Sequence, residues 1–528
     1  MLLKNSSIPY IKVTTPSGNN NLRVLKKTKS ICPKCHDLLD ATIYEEKGQV
    51  LIKKECPVHG IFEDVYWSDY KEYVRAQKYS VTGEGIENPM TEVADGCPYD
   101  CGLCSNHKSQ TGLAIIDVTN RCNLRCPICF AIAATSGYVY EPTKEQIREM
   151  FVTLRNIKPV PAKAVQFSGG EPTIRDDLPE LVQMAKEIGI NHVEVNTNGI
   201  KLAESVDYCR KMKEVGVSSF YLSFDGVTPE PYIATRGLNL LPVKLKAIDN
   251  IRTAGYDSSV LVPTVVKGVN DHQLGDIIKF AAENSDVIRC VNFQPVSITG
   301  RIAHKKRKEM RITIPECIEL IEKQTDEQIQ KSDFYPVPCV VPVSRAVSAI
   351  KEKRYLDFTA HEHCGMATFT FIEGDKLTPI THYGDVEKFL SKMQDVYEAA
   401  SNGSTLKAKL EMLQALRYMK FGLTRDITGA VLKEGTYKAL GKLMRKMLMI
   451  GMMHFMDGYN FDVERAEKCC IHFAVPNGKV IPFCTMNTLH RKRIEEENSV
   501  PIKEWNKTHD RTPIFRPQNK MKIGMHKS

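Results

Sequence analysis

No stretch of the 528-residue sequence stays apolar for the ~20 residues that a membrane-spanning helix needs. The most apolar run, Met447 to Met456, falls well short, and the N-terminus lacks the apolar core of a secretion signal. Long polar or low-complexity tracts are absent too, and with 42% hydrophobic and 26% charged residues wholesale disorder is excluded. Charge of one sign is scarce: 72 Lys+Arg against 63 Asp+Glu leave +9. With no basic arm and no aromatic RNA-binding motif, nothing supports nucleic acid as a partner. A soluble cytoplasmic chain of two to four domains is expected, at roughly 100–200 residues per domain.

What the sequence does have is cysteine: 17 residues, an odd number with no secretory context, so metal ligation replaces a disulfide framework as the leading reading. Nine of them fall in three tight sets in the first quarter of the chain, a clustering that buried structural thiols do not produce. The first set is Cys32-Pro-Lys-Cys35 and, twenty residues on, Cys56-Pro-Val-His59. Two such knuckles joined by a hairpin over Ala41 to Lys54, turning at Gly48, place four soft ligands tetrahedrally. Mononuclear zinc and rubredoxin-like iron both accept that site, and His36 competes with His59 for the fourth position.

The third set, Cys122-Asn-Leu-Arg-Cys126-Pro-Ile-Cys129, follows an apolar strand, Leu113 to Val118. Three thiolates on one loop hold three irons of a 4Fe-4S cluster and leave the fourth open. Strand-like runs then end in turn at Ser168-Gly169-Gly170-Glu171-Pro172, Asn196-Thr197-Asn198-Gly199 and Ser223-Phe224-Asp225-Gly226, with further strands at Val260 to Val266 and Cys290 to Gln294 and helical patterns between. In this order the chain resembles the radical S-adenosylmethionine (radical SAM) superfamily. The resemblance implies an α/β fold, a partial (β/α)6 barrel whose ligands sit at the strand carboxyl ends. It also implies that Cys122, Cys126 and Cys129 carry the catalytic cluster. Gly169, Gly170, Glu171, Asn196, Asn198, Ser223, Asp225 and Val265 would hold S-adenosyl-L-methionine, with Val291 a second adenine contact. The chemistry implied is reductive cleavage of that cofactor to a 5′-deoxyadenosyl radical, fed by an electron donor such as ferredoxin or flavodoxin.

The second set, Cys97, Cys101 and Cys104, repeats the spacing but lacks the preceding strand and following glycines, which makes it auxiliary. Three local thiols plus Cys339, Cys364, Cys469, Cys470 and Cys484 make the eight that two further cubanes need, three clusters in all. Cys209, Cys290 and Cys317 read as core, and His363 and His382 as solvated loop histidines. From Val386 to Met456 the pattern is helical, with apolar faces at Phe389, Met393 and Val396, at Leu406, Leu410 and Leu413, and at Leu440, Leu443, Met447 and Ile450. The basic run Arg301, Lys305, Lys306, Arg307, Lys308 and Arg311 reads as a solvated face, or as one resting on a membrane surface. Residues after Arg491 read as a packed extension ending in a mobile tail.

The expected division is a rubredoxin-like or zinc-ribbon-like module at 1–75, an auxiliary-cluster segment at 76–110, the barrel at 111–300, and a largely helical auxiliary-cluster and substrate domain at 301–528. This combination of cysteine sets resembles the archaeal tetraether lipid and macrocyclic archaeol synthases. That implies carbon–carbon coupling between terminal methyl carbons of isoprenoid chains in an archaeal membrane lipid. The alternative is a radical SAM methyltransferase acting on a pterin or another small molecule. A peptide maturase lacks its C-terminal multi-cysteine cassette here, and a plain electron carrier would not need Gly169-Gly170-Glu171.

Overall fold

The computed structural model describes residues 23–419 and 447–517. The N-terminal module is a four-stranded antiparallel sheet, Arg23–Ile31, Leu38–Glu46, Gln49–Cys56 and Gly60–Trp67, each strand paired with the next. Its central hairpin closes where expected: Glu46 faces Gln49, and Lys47 and Gly48 both take left-handed φ, +51° and +81°. Such a two-residue turn matches the twist of the flanking strands.

Six strands, Leu113–Thr119, Ala164–Gly169, His192–Thr197, Ser219–Ser223, Ser259–Val262 and Cys290–Pro295, then pair in parallel in chain order. Leu113–Thr119 and Ala164–Gly169 are buried almost throughout, as a sheet covered on both faces requires, whereas His192–Thr197 and Cys290–Pro295 alternate buried with partly exposed residues. Helices Lys144–Arg155, Leu178–Glu187, Leu241–Thr253 and Leu274–Glu283 form the crossovers. The helix expected from Leu202 to Glu214 is broken at Ser205, which is extended at φ −147° and caps Val206–Glu214 by accepting from the Tyr208 amide.

The sheet continues past both edges of this barrel with C-terminal strands. Met447–Met453 lies parallel to Cys290–Pro295 and antiparallel to Gly365–Glu373, while Ile471–Ala474 lies parallel to Leu113–Thr119 and antiparallel to Val480–Pro482. This corrects the helical reading of Met447 to Met456. A fully apolar run has no period to distinguish helix from buried strand, and seven residues suit the strand. The helices expected before it are present as Val386–Ser401 and Thr405–Arg417. Met393 and Val396 pack with Ala346 and Ala415, whereas Leu406, Leu410 and Leu413 are exposed. The calls at Leu440, Leu443 and Met444, and the tail beyond 517, lie outside the described residues. After Arg491, Ser499–Pro501 pairs with Tyr138–Tyr140.

The N-terminal module is bound to the rest through buried polar groups. Fully buried Asp462 accepts from Lys26, Thr28 and Tyr66. Lys54 donates to Ser30 Oγ and to the Gly458 carbonyl, and burial pushes its ammonium down to about 8. The basic run is also corrected. Arg311 is 4% exposed and pairs with Asp64 and Asp457, and Arg307 pairs with Asp64 as well, so part of the run is an internal clamp. His363 is corrected likewise: it is 1% exposed and stacks on Tyr73 at 4.1 Å.

Removing Arg311 strands the Asp457 carboxylate in the interior and leaves Asp64 to Arg307 alone, so Arg311→Met should destabilise by about 3–5 kcal/mol, read as a shift in the urea midpoint. Arg311 and two backbone amides hold the Asp457 carboxyl down to about 2. Because that folded value lies below the ordinary carboxylate value, its contribution is complete above about pH 4 and disappears as pH falls through about 2. An acid-unfolding profile should show that step in the wild type and not in Arg311→Met.

Candidate active site and metal centres

The cysteine loop Cys122 to Cys129 leaves the end of the first barrel strand, and its position is fixed by its neighbour. The Gly170 amide donates to Thr119 O at 2.7 Å and the Glu171 amide to Arg121 O at 2.9 Å. A Cβ on Gly169 would stand 2.1 Å from Thr119 O, and one on Gly170 2.0 Å from Arg121 O. The two glycines are therefore demanded by backbone passing backbone, a reason beyond the approach to a ligand expected from the sequence. Glu171, 1% exposed, is spent on structure: Oε1 accepts from Thr173 and Thr197 Oγ1, and Oε2 from the Asn198 amide.

Around this loop lies a cavity of about 160 Å³. Its wall includes Cys122, Cys126, Cys129, Gly169, Gly170, Glu171, Asn196, Asn198 and Ser223, so motifs from four strand ends converge on one space. Asp225 and Val265 do not reach the wall. Val265 and Val291 are fully buried, and Thr264 and Gln294 stand at the cavity instead. Asp225, also fully buried, holds Arg236 by two bonds of 2.6 and 2.8 Å, and it is Arg236 that lines the cavity beside Cys126. Lys244, another buried cation, donates to Asn198 O and Ser223 Oγ; burial and Arg236 bring its ammonium down to about 7. Arg236 and Lys244 were invisible in the sequence, since a lone basic residue on a helix carries no spacing signal.

The donor sets fit the metals implied for them. Burial pushes the Cys122 and Cys126 thiols up, so unligated they would stay protonated, while the Leu124 amide already points at Cys122 Sγ at 3.4 Å. At the N-terminus, zinc with Zn–S bonds of about 2.3 Å demands sulfur–sulfur edges of about 3.8 Å. Cys35 Sγ and Cys56 Sγ are 3.8 Å apart, and His59 Nδ1 lies 3.6 Å from Cys32 Sγ and 3.5 Å from Cys56 Sγ. His59 completes the four-donor group and His36 does not join it.

Among the remaining thiols, Cys97, Cys101 and Cys104 line a small cleft with Ala466 and Glu467. Hydrogen bonding from Cys97, with His490 nearby, lowers Cys101 to about 5. Cys364, Cys469, Cys470 and Cys484 act on one another electrostatically, and Cys101 acts on Cys469. Arg465, 1% exposed and with no carboxylate partner among the described residues, donates to Cys364 Sγ at 3.4 Å. That contact sets a buried positive charge against the sulfur, a setting suited to a metal-bound thiolate. No described interaction joins Cys339 to another thiol, and burial alone raises it to about 12.

Two outcomes test this geometry. Metal analysis after dialysis against a chelator should find zinc lost from His59→Ala and retained in His36→Ala. Gly170→Ala, by displacing the Arg121 carbonyl, should lower iron–sulfur absorbance while leaving zinc in place.

Residues 116–281 match the family described as the radical SAM superfamily, and residues 24–68 match the HMPTM N-terminal zinc ribbon domain. The 7,8-dihydro-6-hydroxymethylpterin dimethyltransferase of Methanocaldococcus jannaschii is 51% identical over 497 residues, covering 92% of this chain and 97% of that protein. GTP 3′,8-cyclase 1 of Mycobacterium tuberculosis is 27% identical over 258 residues, 47% of this chain and 66% of that one. The solved Streptococcus suis SuiB covers 42% of this chain and 47% of its own at 18% identity and a TM-score of 0.33. The expectation of lipid carbon–carbon coupling is corrected by the first of these, a relative matched along nearly its whole length and named for dimethylation of a pterin. The chain belongs to the radical SAM superfamily and, within it, to the family of that Methanocaldococcus protein.

Proposed function

We propose that the protein is a radical SAM methyltransferase that methylates a reduced pterin, and the observation carrying this is the 51% identity to a pterin dimethyltransferase across 92% of the chain. The cavity is compatible with a planar, polar ring. Its wall offers the amides of Asn196, Asn198 and Gln294, the hydroxyls of Ser297 and Thr299, and the rings of Phe130, Phe455 and Phe483. An apolar passage for long chains would need the helices Val386–Ser401 and Thr405–Arg417, and neither contributes to that wall.

In this reading Cys122, Cys126 and Cys129 hold the cluster, and S-adenosylmethionine lies along Gly169-Gly170, Asn196, Asn198 and Ser223. Together, when bound, these groups supply the superfamily's 5′-deoxyadenosyl radical chemistry. Arg236, held by Asp225, offers its guanidinium to an anionic group of the cofactor. The other thiols serve auxiliary clusters, and a small iron–sulfur or flavin protein supplies electrons. The zinc ribbon, the auxiliary-cluster segment and the barrel act as separate units in the division given above. Among the described residues no helix is long and apolar enough to cross a membrane.

Reconstituted protein, incubated anaerobically with reductant, 7,8-dihydro-6-hydroxymethylpterin and S-adenosylmethionine as both radical source and methyl donor, should give a pterin heavier by one and then two methyl substitutions, with formation of 5′-deoxyadenosine and S-adenosylhomocysteine. An unaltered pterin mass alongside cofactor cleavage would refute the substrate class, and Cys126→Ala should abolish both products.

A further inference from the structure

The cavity wall has two parts of different origin. One is the motif half, drawn from segments within residues 116–281 that match the superfamily. The other comes from outside that match: Gln294 to Arg301, Phe455, Met456, Phe483 and Asn487. Residues shared across a superfamily serve the shared cofactor, so discrimination between substrates falls to the second part.

Within it, Arg301 is unusual. Its backbone is locked to the cluster loop: its amide donates to Cys129 O at 3.0 Å, and the preceding Gly300, at φ +73°, passes so close that a Cβ would stand 2.4 Å from the same carbonyl. One terminal nitrogen of its guanidinium donates to the Ala133 carbonyl. Its Nε is buried with no partner among the described residues. A guanidinium pinned at one corner and lining a cavity has N–H donors beyond the one given to Ala133, and so is a preformed receptor for acceptor atoms. The other polar groups nearby are less free. Arg491 Nε and Nη2 both donate to Asn487 Oδ1, and Gln294 Nε2 is turned to Tyr221 OH. Phe455 and Phe483, stacked with centroids 3.9 Å apart, give the same wall a flat apolar face.

We propose that Arg301 is the residue that recognises the substrate ring, donating to the ring carbonyl and the adjacent imine nitrogen of a 7,8-dihydropterin while the stacked pair Phe455–Phe483 packs against the ring; this rests on the pterin reading above. In that oxidation state the carbonyl oxygen and the imine nitrogen lie on one edge and both accept, a pair that a guanidinium fork matches. The same edge carries the hydroxymethyl substituent beside it, which turns that substituent toward the Cys129 side of the cavity, where the Arg301 backbone is tied.

The test is equilibrium binding to the reconstituted holoenzyme, by anaerobic titration calorimetry, of 7,8-dihydro-6-hydroxymethylpterin and of its analogue with an amino group in place of the carbonyl. The wild type should prefer the oxo form by about ten- to hundredfold, the worth of hydrogen bonds to a charged group. Arg301→Gln should erase most of that preference, and Arg301→Lys should keep part of it. Phe455→Leu should weaken both ligands alike, because stacking does not read the carbonyl. Equal affinity of the wild type for the two ligands would overturn the assignment without any variant, as would a preference that survives in Arg301→Gln. If the wild type binds neither ligand, the pterin reading itself fails, which is a separable result.

Discussion

A parallel sheet of six strands has two open edges, and each open edge carries unpaired backbone donors and acceptors. In this chain both are closed from the C-terminal third: Met447–Met453 pairs beside Cys290–Pro295, and Ile471–Ala474 beside Leu113–Thr119. That constraint organises the site. Phe455 and Met456 follow directly on the first of these strands, and Phe483 and Cys484 on the strand Val480–Pro482 that pairs with the second. The rings that meet in the cavity are therefore brought there by the closure of opposite edges, and their 3.9 Å stacking joins the two. Closing the two sheet edges thus also builds the cavity wall.

The zinc ribbon depends on the same C-terminal segment. Asp457 and Asp462 stand just beyond Met456 and receive Arg311, Lys26, Thr28 and Tyr66, while Lys54 reaches the Gly458 carbonyl between them. Asp462 also accepts from the Glu464 amide and so caps the helix Val463–Glu467. A four-stranded module of this size has little core of its own, and its metal fixes the two turns that its strands cannot. Its buried polar groups are satisfied against residues 457–464 and, at Asp64, against Arg307 and Arg311, which itself holds Asp457, so the module and the cavity wall are ordered by one set of bonds.

The parts legible in the sequence were those whose chemistry lies in consecutive residues. Cys122 to Cys129, Gly169-Gly170-Glu171 and the Cys32/Cys56 knuckles each announce a loop because the spacing itself is the geometry. The alternating strands and helices of the barrel were legible for the same reason, through their period. Met447–Met453 was not, since a run apolar at every position has none. Arg236, Lys244, Arg301 and Arg311 were hidden because a cation far from its carboxylate in sequence looks solvated, and only folding brings Asp225 to Arg236 or Asp457 to Arg311. Substrate class was the least legible of all. The thiol sets that suggested a lipid enzyme are metal-ligand patterns that do not name a substrate, whereas the cavity wall draws on Gln294, Arg301, Phe455 and Phe483, which no local pattern links.

The small excess of positive charge acquires meaning once its location is known. Arg465, Arg491 and Lys244 are buried and Arg236 is largely so, yet buried cations are costly unless an anion answers. Arg491 has Asp117 and Glu495, and Arg236 has Asp225. Arg465 has instead Cys364 Sγ, the His454 carbonyl and the face of the Tyr66 ring. With neutral thiols such an interior would carry uncompensated positive charge beside Cys364 and Cys484. A thiolate-ligated cluster held there would carry net negative charge, so the buried guanidinium and such a centre would stabilise each other. Arg236 beside Cys126 repeats the arrangement at the catalytic loop, with Asp225 offsetting part of its charge. A cation fully balanced by protein would have nothing left for a ligand; one held by a single carboxylate while facing a cavity keeps its outer donors for an anionic cofactor, and that incomplete compensation is what distinguishes a binding residue from a structural one.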